Sequence, residues 1–185
     1  MIGDRWGVTD DEVARHYPCD DLVPNPRIEL WRGATAHAPA DVVWRWLRQV
    51  QLAPYSYDWI DNLGRRSPRT LRDLTDPLEG QPFSGVGNRW NVGRMLAVEP
   101  GVQVTALIMG ATMSYVLVPQ GDATRLLLKV VMPGEPWYAT ALSIGDLVMA
   151  RRQLLNLAAH ASQAASTSTT RNPSGSTTVT PHRSQ

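Results

Sequence analysis

The chain has 185 residues, 43% hydrophobic and 19% charged, with a formal net charge of +1. That describes one domain with a real core and no global field favouring nucleic acid or an anionic membrane. A single cysteine, Cys19, excludes an internal disulfide and a multi-cysteine metal site.

Thr9-Asp10-Asp11-Glu12 has the form of a capping box, with Thr9 as N-cap and Glu12 three residues on. It predicts a short helix over Asp10–His16 that stops before Pro18. Asp20–Pro26 reads as a proline-punctuated arm, so residues 1–26 form an N-terminal arm with one short helix. The start, MIGDRWGVTDDEV, lacks the basic end and apolar middle of a signal peptide. No stretch reaches the roughly 18 apolar residues of a membrane helix. A cytoplasmic protein without stable membrane insertion is the expectation.

Ile28–His37 is predicted as the first strand, ended by Pro39. A helix follows to about Val50, with Val42, Val43, Trp46, Leu47 and Val50 on one face and Arg45, Arg48 and Gln49 on the other. Ser56 can cap a second short helix, Tyr57–Leu63, closed by Gly64. Arg65–Pro82 reads as a loop, its arginines followed closely by Asp73, Asp76 and Glu79. One or two short strands are expected over Gly87–Glu99. Val102–Met109, Thr112–Val118 and Arg125–Met132 then read as antiparallel strands. In the second of these, Met113, Tyr115 and Leu117 share the face expected to point inward. In the third, Leu126, Leu128, Val130 and Met132 point inward and Arg125 and Lys129 point to water. For Val102–Met109 the inward face stays open between Leu107 with Met109 and Ala106 with Ile108.

Pro133–Pro136 stops the sheet and launches a long amphipathic helix, Trp137 to about Ala161. The Ser- and Thr-rich tail, residues 162–185, is predicted to be disordered. The order of elements gives an α+β fold in which a curved antiparallel sheet wraps around the C-terminal helix, with two short helices after the first strand. The space between sheet and helix can hold a ligand.

Several segments resemble the START-like, Bet v 1-like superfamily, specifically its bacterial SRPBCC branch of polyketide cyclase/dehydrase-like proteins. They are Ala34–Val50 (ATAHAPADVVWRWLRQV), Tyr55–Leu63 (YSYDWIDNL), Thr112–Pro119 (TMSYVLVP), Thr124–Lys129 (TRLLLK) and Asp146–Leu155 (DLVMARRQLL). The arm Asp20-Asp21-Leu22-Val23-Pro24 is similar to the lead-in of some members. The resemblance covers about Asp20–Ala161, with residues 27–161 as the ligand-binding domain. It implies a helix-grip fold, a seven-stranded antiparallel sheet around the last helix, and an internal cavity for an apolar or amphipathic molecule. It does not imply one chemistry, because the superfamily spans carriers, cyclases, hydrolases and regulatory proteins.

Function is therefore expected to be binding of a small apolar molecule; the alternative is a cyclase or dehydratase acting on a polyketide-like carbonyl compound. Tyr57 and Asp58 are the candidate catalytic pair, since a phenol and a carboxylate at a helix start can act as acid and base. The other reading of that cluster is a capped helix whose Tyr57 and Trp59 pack under the sheet. Tyr57, Trp59, Arg89, Trp90, Met109, Met113, Tyr115 and Leu128 are the candidate ligand contacts, methionine being suited to an adaptable wall. Arg89 follows Gly85-x-Gly87, which lacks the third glycine of a dinucleotide fingerprint. His16, His37, His160 and His182 share no helix face, so no metal site is expected. His16 is expected to pair with Glu12. No cofactor and no nucleic-acid partner are implied.

Overall fold

A computed structural model describes residues 3–86, 90–133 and 139–171. In chain order the elements are β1 (Arg5–Trp6), α1 (Asp10–Ala14), α2 (Pro18–Leu22), β2 (Ile28–Ala36), α3 (Ala40–Leu47) with a 3-10 turn (Arg48–Gln51), α4 (Asp58–Asp61), β3 (Ser84–Val86), β4 (Trp90–Val92), β5 (Arg94–Glu99), β6 (Gln103–Ile108), β7 (Ala111–Gln120), β8 (Ala123–Met132) and α5 (Ala139–Arg171). The main sheet is curved and six-stranded, in the order β1-β2-β8-β7-β6-β5. Strands β5 to β8 form a meander, and β8 returns along β2 from Ile28↔Met132 to Ala36↔Thr124. A seven-stranded, wholly antiparallel sheet is not what forms. The β1–β2 pair is parallel, and β3 with β4 makes a separate ribbon. Gly93, at φ +69°, turns the chain between β4 and β5 in a backbone region that glycine enters without strain.

Alternation along the strands sends one set of side chains inward. Leu126, Leu128 and Val130 of β8, Tyr115 and Leu117 of β7, and Val104 and Ala106 of β6 join one core, with Ile108 and Met113 packed against it. The open choice in β6 thus falls to the Ala106–Ile108 face. From α3 come Val43, Trp46 and Leu47, and from α5 Ala150, Leu154, Leu157, Ala158 and Ala161. The α5 stripe follows the helical period and packs on β2 and α3.

That helix runs ten residues further than its composition suggests. Ser162 is half-buried, accepts the His37 backbone N–H at 2.9 Å and returns its hydroxyl to the Ala158 carbonyl. Tertiary contact overrides the weak helix propensity of serine and threonine here, at least as far as Arg171. Residues 172–185 lie outside the described residues.

The outer face of the sheet differs most from expectation, because the N-terminal arm covers it. Pro18 at the first turn and Asp20 and Asp21 behind it start α2 where only an irregular arm is expected. Tyr17, Cys19 and Val23 then pack on Trp31, Val116, Leu127 and Val131 as a second core. Lys129 does not point to water. Its Nζ lies 2.6 Å from Asp20 Oδ1 and 2.8 Å from Glu29 Oε2, with its side chain 6% exposed. Arg125 binds Glu12 through Nε at 2.7 Å and Nη2 at 2.8 Å, and Nη2 also donates to the Gly7 carbonyl. Gly33 permits this approach, since a Cβ there would lie 2.7 Å from the Gly7 oxygen. His16 pairs with Asp21 at 3.1 Å rather than with Glu12, which Arg125 has taken. Cys19 is fully buried; burial pushes its thiol up to about 11, so it stays protonated and unreactive at neutral pH.

Glu12 also closes the capping box, its Oε2 accepting the Thr9 backbone N–H at 2.9 Å while Thr9 Oγ1 accepts the Glu12 N–H. Burial alone would raise its carboxyl, but the hydrogen bonds from Arg125 and Thr9 outweigh that and hold it below the usual 4.5. A carboxyl whose folded pKa is lowered contributes stability that is complete above its unfolded value and is lost as pH falls through the folded one. Wild-type stability is therefore expected to fall more steeply than that of Glu12→Gln as the protein is acidified below about 4.5. Thermal melts across the acid range measure this, and parallel curves for the two proteins would contradict it.

Candidate functional site

The site begins with a strap, Pro54–Ser56, that crosses α5. Gln153 Nε2 donates to the Pro54 carbonyl at 2.6 Å and Asn156 Nδ2 to the Tyr55 carbonyl at 2.9 Å, so side chains of the helix satisfy the strap's backbone acceptors. Tyr55 holds φ at +58°, an unusual state for a bulky residue. It is kept there by burial, by an edge-on contact with Trp46 and by the Gln49 amide, which donates to its hydroxyl at 3.1 Å. Gln49 is itself buried, not on a solvent face, because its other amide atom accepts the Arg72 N–H of the loop folded over α3. Asp76 of that loop accepts from Trp44 Nε1 at 2.7 Å and from Arg48 at 3.2 Å.

Between strap, α5, the β3–β4 ribbon and the inner face of β6, β7 and β8 lies a cavity of about 270 Å³. Its wall is largely apolar: Phe83, Val86, Val92, Ile108, Met109, Met113, Leu128, Met149 and Ala150. Phe83 and Tyr115 stack at 5.9 Å between centroids. Ser84 and two hydrogen-bonded polar pairs interrupt the wall. Tyr115 donates its hydroxyl to Gln153 Oε1 at 2.6 Å, and Ser56 Oγ donates to Asp61 Oδ2. The other Asp61 oxygen, Oδ1, is buried without a hydrogen-bond partner. Burial raises the Asp61 carboxyl, only partly offset by hydrogen bonding from Ser56 and from the backbone at Asp61 and Tyr57.

A second, more polar cleft of about 400 Å³ shares Ser56 with the first and is lined by Tyr55, Asp58, Ser67, Arg69, Arg152, Asn156, His160 and Gln163. His160 stacks on Trp46 at 4.6 Å, and burial followed by the nearby Arg69 charge pulls its pKa down, favouring the neutral ring.

No protein-family model matches this chain, and no curated protein matches it. Solved structures do. Protein MLL2253 from Mesorhizobium loti superposes with a TM-score of 0.50 at 15% identity, over 73% of this chain and 97% of its own. Protein NE0264 from Nitrosomonas europaea gives 0.50 at 16% identity, over 74% of this chain and 95% of its own. The Polyketide_cyc-like protein Cgl2372 from Corynebacterium glutamicum matches with a TM-score of 0.43 at 12% identity, over 70% of this chain and 88% of its own. At such identities the likeness is one of fold, and the first two carry it. The fold they share is a curved, mostly antiparallel sheet with a long C-terminal helix packed on it. No described helix is long and apolar enough to cross a membrane.

Within this fold the residues singled out from the sequence divide. Met113, Tyr115 and Leu128 line the apolar cavity, with Met109 at its rim and itself 93% exposed. Tyr57 lies in a different surface groove beside Val148 and Leu155, beneath the Arg152 guanidinium. Asp58 lines the polar cleft, where both its oxygens are engaged by the Ser67 hydroxyl and backbone N–H, at 2.6 Å and 3.0 Å. Trp59 is 74% exposed and does not pack under the sheet; Trp90 is 65% exposed. Arg89 lies outside the described residues.

Asp61, Phe83, Met149 and Gln153 were not singled out beforehand, and Ser56 only as a helix cap. Gln153 carried a signal: a polar amide set within the apolar stripe of α5, with Asn156 three residues on, marks a helix that hydrogen-bonds something across its buried face.

Proposed function

We propose that this protein binds a small apolar or amphipathic molecule in the cavity between α5 and the inner face of the sheet. The observation that carries the proposal is the wall itself, largely apolar and bordered by a strap whose Pro54 and Tyr55 carbonyls are already held by α5. Apolar burial, worth about 25 cal/mol per Å², supplies affinity there, and few polar groups remain to set orientation. At about 270 Å³ the space is near the lower end for ligand pockets, roughly 300–1,000 Å³, so the molecule is small. Tyr57 and Asp58, the pair offered for a cyclase or dehydratase, line separate clefts, so binding is the reading advanced.

Native mass spectrometry of purified protein, with thermal-shift screening of small aromatics and fatty acids, tests this. A ligand at about a hundredfold over its Kd adds about 2.7 kcal/mol, a rise of about 5–10 °C for a domain of this size. The absence of both a co-purified molecule and any such rise would contradict the proposal.

A further inference from the structure

We infer that the molecule held in the cavity is an apolar amine, whose ammonium group meets the Asp61 carboxylate while its body lies against Phe83, Tyr115 and the methionines. The inference rests on the binding reading above and names the ligand's chemistry. Asp61 is the one acid among the described lining residues of the cavity, and no Lys, Arg or His accompanies it there. An ionised group in an apolar wall is costly unless paired. Ser56 donates to Oδ2, the backbone at Asp61 and Tyr57 gives the carboxyl some further support, and Oδ1 makes no hydrogen bond of good geometry. Asp58, at the start of the same short helix, adds negative potential and pushes the Asp61 carboxyl further up. Rotation about χ2, a broad torsion for aspartate, presents either oxygen to the cavity. A protonated amine answers each of these conditions: it supplies the missing charge and donors, while an aromatic or aliphatic body packs against the stacked Phe83 and Tyr115 rings. A carboxylic acid would place a second negative charge beside the first.

The test titrates the full chain with phenethylamine, phenethyl alcohol and hydrocinnamate by isothermal calorimetry at neutral pH. The amine is expected to bind at least about tenfold tighter than the alcohol, with the acid weakest. In Asp61→Asn the amine should lose that advantage while the alcohol keeps its affinity. The ratio is the readout, since general loosening of the cavity lowers both together. If the alcohol binds as tightly as the amine, or the preference survives Asp61→Asn, the cavity stands and the amine inference falls. If none of the three binds, both readings fall. Should Asp61→Asn not fold, the wild-type ratio alone decides.

Discussion

Lys129→Met is expected to cost about 3 kcal/mol of folding stability, or about 6–12 °C in Tm for a domain of this size. The lysine stands on the outer face of β8 beneath α2, its ammonium held by Asp20 at 2.6 Å and Glu29 at 2.8 Å and set above the Tyr17 and Trp31 rings. Removing it leaves two carboxylates facing each other without a cation. They are 23% and 37% exposed, so water recovers part of the loss, and the value lies at the low end of about 3–5 kcal/mol for a broken buried pair. Burial alone would lower the lysine's pKa, but Asp20 and Glu29 outweigh it and raise the group above 10.5. Its contribution is therefore complete below that value and is lost as pH rises through the folded one. Adding Asp20→Asn to Lys129→Met should recover part of the loss. Denaturant unfolding measures it, and a change below about 1 kcal/mol, the range of an exposed pair, would show that the arm does not bury this charge.

Ala150→Phe is expected to abolish ligand binding, by more than about a hundredfold, or about 2.7 kcal/mol, with little loss of stability. Ala150 is buried on α5 and faces the cavity beside Met149 and Gln153. A benzyl side chain there enters existing space instead of a packed core, so the strain of overpacking, about 1–3 kcal/mol elsewhere, is largely avoided. Calorimetry with a ligand found by thermal shift, alongside a melt of the free variant, separates the two effects. Unchanged affinity in a folded Ala150→Phe would place the ligand elsewhere.

The inner half of this fold was legible because its signals are local. The period-two pattern of Leu126, Leu128 and Val130 and the helical spacing of Leu154, Leu157 and Ala158 each state a face within a few residues. The outer half was not. Alternation puts Arg125 and Lys129 opposite the leucines, but nothing local says that a second layer covers them. Their partners Glu12 and Asp20 lie more than a hundred residues earlier in the chain. The helix beyond Ala161 was missed for a related reason, since composition there favours disorder and only contact with His37 overrides it. At the site, Asp58 and Asp61 sit in the same short helix with the same apparent chemistry. Which of them enters the cavity wall follows from the strap and its positive φ at Tyr55, a state that no tyrosine advertises in a sequence.

Titration of methyl-labelled protein with a small aromatic ligand, followed by NMR, tests the central claim most directly. The methyl groups of Met113, Leu128, Met149 and Ala150 line the cavity, whereas those of Leu127 and Val131 belong to the outer core beneath the arm. Shifts confined to the first group are expected. Saturable shifts at the outer group or at surface methyls alone, with the cavity methyls unmoved, would contradict a ligand site between α5 and the sheet.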